Sequence, residues 1–291
     1  MRVAIRQLAS GTSLTLPAPV GADEANLLTV VVGGGRGSVL RAREPLSGIW
    51  IPLHGRLQCG SGNAETILAT GDVRLTEAET NLHASGRGSA LWVAVLGGRN
   101  AWRAALGGFA DLPLADPPLL PALHSAERNM RRLAAQLARS VREGQDDVAI
   151  EALLDHVLAL QGGLDTAIAR CPGRTYAQRR QVFLRLQRVR NYLSTNCHLE
   201  LDNDALARMA SYSPWHFIRA FRAAYRQTPH AYLVEQRLRR ARRLLHSSPL
   251  AIAEIALASG FENRCAFSRL FRRHFGTTAG AVRRQAAGWQ A

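Results

Sequence analysis

Two stretches of the chain hold the side chains best placed for chemistry. Residues 206–221 read LARMASYSPWHFIRAF and residues 255–271 read IALASGFENRCAFSRLF. Each opens with an apolar residue and an alanine, passes a turn, and then carries two phenylalanines four apart. An arginine follows two residues after the first of them. Phe217 and Phe221 share one helical face, as do Phe267, Phe271 and Phe275, and both sets are expected in a core. The opposite faces are cationic. Trp215, Arg219, Arg222 and Arg226 recur at i, i+4, i+7 and i+11, with Ile218 beside them. Cys265, Arg269 and Arg272 form the second stripe, flanked by Arg264 and Arg273. Arginine can bind guanine bidentately and can hold phosphates, so an arginine face opposite a phenylalanine face suits a helix in the DNA major groove. The plain alternative for one such stripe is a solvated charged face; two copies, each behind a turn, argue against it.

Other chemistries find little support. Cys59, Cys171, Cys197 and Cys265 are far apart and form no C-x-x-C pair, so buried or incidental thiols are expected rather than disulfides or a zinc site. His54 and His83 are the histidines of the first 100 residues and form no H-x-H pair, so neither a metal nor another cofactor is expected. No G-x-S-x-G, H-E-x-x-H or Walker sequence occurs, and no catalytic constellation is found. Asp146 and Asp147 read as helix-start acids that complement the dipole. There is no apolar run long enough for a signal peptide or a membrane span, and a cytoplasmic protein is expected.

The elements that must position the two stripes can be read in turn. Ser213-Pro214 is a strong helix start and Asn263 can cap the second copy. Ala207 and Ala256 allow close helix approach, and Gly260 supplies a permissive turn. Tyr232–His246 reads as one helix of about 15 residues, roughly 22 Å, able to hold two recognition helices about one DNA turn apart. Arg237 lies near its apolar stripe and is expected to make structural hydrogen bonds. The charge follows the same division. Residues 1–171 hold 16 Arg and 16 acidic residues, whereas residues 172–291 hold 21 Arg and 6, so the whole net charge of +15 lies in the second part. That asymmetry implies a polyanion-binding domain joined to a neutral one. Every basic residue is an arginine, and genome composition is the simplest cause.

The first 110 residues carry β signals at 27–32, 48–53, 56–59, 65–68, 72–75 and 90–96, separated by glycines, and Gly33-Gly34-Gly35-Arg36-Gly37 reads as a turn. A sandwich or small barrel is expected. Residues 112–121, rich in proline and leucine, read as a linker or domain edge. Ser125 is expected to cap a helix through Met130, Leu133, Leu137 and Val141. A second helix is expected over 147–160, with Ile150, Leu153, Leu154, Val157 and Leu158 apolar and Gly162-Gly163 ending it. The pair forms a helical hairpin that packs on the barrel or on a second copy of the chain.

The last third, from about Arg180 to Arg284, resembles the DNA-binding domain of AraC/XylS-type transcription regulators. The residues that carry the likeness are the two stretches above together with AYLVEQRLRRARRLL between them. The resemblance implies an α+β chain: a cupin-like β-barrel or sandwich over 1–115, a helical hairpin over 122–171 for dimerisation, and over 178–288 an all-α domain of seven helices with two helix-turn-helix motifs. It implies double-stranded promoter or operator DNA as partner, with Trp215, Ile218 and Arg219 and then Arg264, Cys265 and Arg269 as base readers. Arg222 and Arg272 join them in the DNA-binding set. It further implies a homodimer, a small effector in the first domain, RNA polymerase as a further partner, and activation as the commoner behaviour. Trp50, His54, Trp92 and Arg56 are the candidates to line an effector pocket; core packing is the alternative for the tryptophans and an ordinary surface position for His54. Two other readings stay open, a constitutive dimeric regulator without ligand and an enzyme fused to a DNA-binding module. The chain departs from the family at Arg226, where glycine is usual and a left-handed arginine would cost up to about 1 kcal/mol. Ala279 and Val282 stand where Pro and Tyr are common.

Overall fold

The computed structural model describes residues 3–18, 21–61, 64–106, 119–125, 128–145 and 150–287. They form two compact units, residues 1–166 and 167–291, with the boundary inside a helix. The first unit contains β1 (Val3–Leu8), β2 (Ser13–Leu16), α1 (Ala22–Ala25), β3 (Leu28–Gly34), β4 (Val39–Ala42), β5 (Leu46–Ser61), β6 (Ala64–Ala69), β7 (Asp72–Glu79), β8 (Leu82–Gly97), α2 (Arg99–Leu106), β9 (Ala122–Ser125), α3 (Arg128–Arg142) and most of α4 (Glu151–Arg170).

β5 and β8, 16 residues each, pair antiparallel along their length and organise everything else. One half of this ribbon lies in the row β1-β3-β8-β5-β7-β9. The other half is flanked by β4, itself paired with β2, and by β6. The ribbon's register shifts around Pro52, His54 and Arg56, where it passes from one row to the other. Leu16, Leu40, Leu57 and Leu68 from one half share a core with Leu8, Val31, Trp50 and Trp92 from the other. Parity puts Val30, Val32, Ile49, Ile51, Val93 and Val95 on the opposite face, and these are buried too. α2 packs on β3 and β8, and α3 on β1, β3, β5 and β8. The central strands are thus covered on both faces, which is why their sequences read as continuous apolar runs.

Several expectations change. The strands expected at 48–53 and 56–59 are one strand, because Pro52 and Gly55 mark a bend within it. Gly33 and Gly34 belong to β3 rather than to a turn: a side chain at Gly33 would fall 2.1 Å from the Trp92 ring, which lies across it. Ser125 ends β9, opposite Asp72, and the helix that follows starts at Arg128. Leu119, Leu120 and Pro121, placed in a linker, are buried, and Gln161 accepts from Leu120 N at 2.7 Å and donates to Leu120 O at 3.3 Å. Residues 112–118, 146 and 147 lie outside the described residues. α4 runs through Gly162-Gly163 to Arg170, and the apolar face of α3 is spent on the sheet.

The second unit follows with α5 (Tyr176–Thr195), α6 (Asn203–Met209), α7 (Pro214–Tyr225), α8 (Pro229–Ser247), α9 (Ile252–Ala258), α10 (Arg264–Phe275) and α11 (Ala279–Ala287). α8 is 19 residues, roughly 28 Å, longer than the expected rod. Its start was hidden in Thr228-Pro229: Thr228 Oγ1 accepts from Ala231 N at 3.1 Å and Pro229 opens the helix. Phe217 and Phe221 are fully buried, and Phe221 meets Tyr225 and Tyr232 at ring separations of 4.7 and 6.1 Å. Phe267, Phe271, Leu238, Leu245, Ile255 and Val282 form a second core along α8, α9, α10 and α11. Ala279 and Val282, the unusual residues of α11, are buried in it.

Candidate nucleic-acid interface

The two motifs share one backbone design. In the first, Ser211 N donates to Arg208 O and Tyr212 N to Ala207 O, both at 2.9 Å; in the second, Gly260 N donates to Leu257 O at 2.8 Å and Phe261 N to Ala256 O at 3.0 Å. Ser211 and Gly260 both adopt positive φ, 57° and 89°. The second turn needs glycine on a further count. A Cβ at 260 would stand 2.8 Å from Arg237 Nε and 2.9 Å from Cys197 O. Arg237 itself donates from Nε to Cys197 O at 2.7 Å and from Nη2 to Leu199 O at 2.9 Å, so it is the structural residue the sequence suggested. It ties α8 to the loop between α5 and α6.

Beyond each turn the recognition helix starts from a polar cap. Asn263 Oδ1 accepts from Cys265 N at 2.8 Å and Ala266 N at 3.0 Å. Ser213 occupies the cap position of α7 by backbone, but its hydroxyl bonds His216 Nδ1 at 2.8 Å, not the helix amides. The buried phenylalanines fix the roll of both helices about their axes. The remaining faces point to solvent: Trp215, Ile218, Arg219 and Arg222 on α7, and Arg264, Cys265, Arg269 and Arg272 on α10, are all exposed. Trp215 is 62% exposed, a large apolar surface to leave in water. The Arg219 guanidinium carbon sits 5.3 Å from the centre of its ring, a cation–π contact that limits the freedom of Arg219. α7 borders an open groove of about 830 Å³, lined by Trp215, Ile218, Arg219, Arg222, Arg226 and Arg170 among others. Arg170, the last residue of α4, was missed; it stands before the basic stretch and nothing around it marks it. Ser211 was missed too, because serine gives no sign of a left-handed turn.

Of the pocket candidates in the first unit, Trp50 and Trp92 are core side chains, 1% and 0% exposed. Their indole N–H groups donate to Thr76 Oγ1 at 3.3 Å and Ser38 Oγ at 3.4 Å. His54 and Arg56 are exposed on β5. Among the described residues no three His, Cys, Asp or Glu side chains group as metal ligands. The sequence gives Cys59 no cationic neighbour, yet the sheet brings Arg74 Nη1 to 3.4 Å from its sulfur. Burial outweighs that arginine and raises the thiol above its ordinary value; desolvation likewise raises Cys171 to about 11. Cys197 is also raised by burial, against the pull of Arg240, Arg243 and Arg237. None of the three is an activated nucleophile. Cys265 is exposed.

Comparison with known proteins falls on the same region. Residues 206–285 match the family described as "Helix-turn-helix domain". Over 93 residues the chain is 31% identical to "Regulatory protein SoxS" of Salmonella typhimurium, covering 32% of this chain and 87% of that protein. The chain belongs to the AraC/XylS family. A second member, "HTH-type transcriptional regulator GlxA" of Rhizobium meliloti, is 45% identical over 94 residues. These are 32% of this chain and 29% of that protein, so the chain spans well under half of that relative. Among solved structures, the DNA-binding domain of AdpA in complex with a target DNA is 32% identical, covering 35% of this chain and 91% of that one, with a TM-score of 0.33. The matched residues 206–285 lie within the second unit. No described helix is long and apolar enough to cross a membrane.

Proposed function

We propose that the chain is a sequence-specific, DNA-binding transcription regulator rather than an enzyme, acting in the cytoplasm on promoter or operator DNA. The observation that carries this is the duplication itself: two helices, each rolled by buried phenylalanines so that arginines face outward, on either side of one rod. α7 and α10 would enter successive major grooves. Trp215, Ile218 and Arg219, and Arg264, Cys265 and Arg269, would face base edges; Arg222 and Arg272 would hold phosphate or sugar. Homodimerisation, contact with RNA polymerase and activation belong to the same reading, carried by family membership.

A second reading concerns control. The interior of the first unit is occupied by Trp50, Trp92 and their aliphatic neighbours, with both indole N–H groups satisfied. That packing favours a unit that acts through dimer state over one that lodges an effector at Trp50, His54 and Trp92. Thermal unfolding of the chain against a metabolite panel separates the two. A shift for one compound, lost in His54→Ala, supports the effector. No shift, with a dissociable dimer, supports the constitutive regulator.

The main reading is tested by selecting bound duplexes from a random pool with the purified chain at physiological salt. One enriched motif of two blocks about one helical turn, roughly 34 Å, apart is expected. Retention of duplexes without any enriched motif would refute sequence-specific regulation.

A further inference from the structure

Arg226 ends α7 in a left-handed conformation, φ 61° and ψ 11°. The equivalent residue of the second motif is Gly276, φ 70° and ψ 0°. Glycine is at ease there and a residue with a Cβ is not. Both caps close the same turn: Arg226 N donates to Arg222 O and Gly276 N to Arg272 O, each at 2.9 Å. Glycine would therefore serve the turn at least as well. The arginine side chain contributes nothing visible to the fold either. It is exposed, and among the described residues its guanidinium meets no acceptor. What it does contribute is position. It lines the groove beside Arg219 and Arg222, on the stripe that begins at Trp215.

We propose that Arg226 is a DNA phosphate contact, kept at the end of the first recognition helix although it strains the backbone there. The inference rests on the reading of α7 as a major-groove helix. Such a helix addresses bases with its N-terminal residues. Arg226 stands eleven residues after Trp215, roughly 16 Å along the axis, where the helix leaves the bases for the sugar-phosphate wall. A residue in that place adds affinity without sequence information. A strained non-glycine residue beside a binding groove, with a relaxed glycine in the duplicate motif, is the pattern expected when binding rather than folding keeps the side chain.

The test uses the full chain as wild type, Arg226→Gly and Arg226→Lys. Binding is followed by fluorescence anisotropy between about 50 and 200 mM salt, on a random-sequence duplex pool and on the duplex the chain selects best. Arg226→Gly is expected to weaken both by the same factor, about fivefold near 150 mM salt, and to flatten the slope of log K against log salt by about 0.9. Its thermal midpoint is expected to stay the same or rise. Arg226→Lys, which keeps charge and strain, is expected to restore the slope. An unchanged slope in Arg226→Gly overturns the proposal. So does a loss confined to the selected duplex, which would make Arg226 a base reader. A lower midpoint with the slope intact overturns it as well, since Arg226 would then be a partner of the helix dipole. Wild type that binds neither duplex in a salt-dependent way removes the reading of α7 and the proposal with it.

Discussion

Gly260→Ala places one methyl group where the second turn, the α5–α6 loop and Arg237 converge. Three costs can be worked out from the structure. The residue sits at φ 89°, and an L side chain in the left-handed region costs about 1–2 kcal/mol. The new Cβ would stand 2.9 Å from Cys197 O and 3.1 Å from His198 Cα, both backbone atoms, so the loop must move; overpacking of this kind costs about 1–3 kcal/mol. It would also stand 2.8 Å from Arg237 Nε and displace that group from Cys197 O, and a hydrogen bond to a charged group contributes about 1.5–3 kcal/mol. Partial relaxation leaves roughly 3–6 kcal/mol, a large part of a small domain's stability. Gly276→Ala is the control. Its φ is 70° but nothing lies within 4 Å, so only the conformational cost of about 1–2 kcal/mol applies. Urea unfolding of both variants, followed by far-ultraviolet circular dichroism, gives the comparison. If Gly260→Ala costs no more than Gly276→Ala, the close approach of Arg237 and the loop is wrong.

Four further outcomes are expected. Arg219→Ala and Arg269→Ala should weaken binding to the selected duplex far more than to random DNA; equal losses would make both residues phosphate contacts. Trp215→Ala should leave stability within about 0.5 kcal/mol, the side chain being mostly exposed, while reducing discrimination between duplexes because Arg219 loses its ring; unchanged discrimination would show that the stack has no part in reading. Phe217→Ala should destabilise by about 3–5 kcal/mol through the cavity it leaves, and an unchanged melting midpoint would refute its place in the core. Cys171 keeps its proton to about pH 11 in the fold, against an ordinary value of 9.0. Unfolding between those values releases that proton, so stability should fall as pH rises from 9 to 11, and Cys171→Ala should flatten that fall; identical slopes would mean the thiol is not desolvated.

The interface was the legible part because its signals are local and doubled. Helical spacing of Phe217 and Phe221 against Arg219 and Arg222 fixes which side is core without any knowledge of the rest. Arg237 could be singled out because a cation close to an apolar stripe needs acceptors. The sheet was less legible. β1, β2 and β4 are short, and nothing in them separates a strand from an extended loop until β3 and β8 are beside them. Pro52 and Gly55 are ordinary breaker signals, yet β5 uses them to bend and continue. α4 ran past its expected end for an energetic reason. Gly162 and Gly163 cost about 1 kcal/mol each, less than the burial of Leu153, Leu154, Val157, Leu164 and Ile168 contributes along the same helix. Trp50 and Trp92 drew notice as large aromatic rings, and only the packing reveals that both are enclosed.

The paired long strands have a consequence for how the chain reaches this state. The β5–β6 hairpin is local, but Val3 pairs with Leu28, Ser13 with Val39 and Ser47 with Gly97, so the first unit cannot complete its sheet until distant segments have emerged. Non-local pairing of this kind folds over about milliseconds to seconds, whereas helical bundles finish in about microseconds to milliseconds. Once its own residues are out, each unit folds at its own rate, the sheet-bearing one more slowly. During that interval the unpaired strand edges belong to the nearly neutral half, with little net charge to keep neighbouring chains apart. Losses during synthesis should therefore arise from residues 1–166, and slower translation or lower temperature should relieve them without touching the arginine-bearing half.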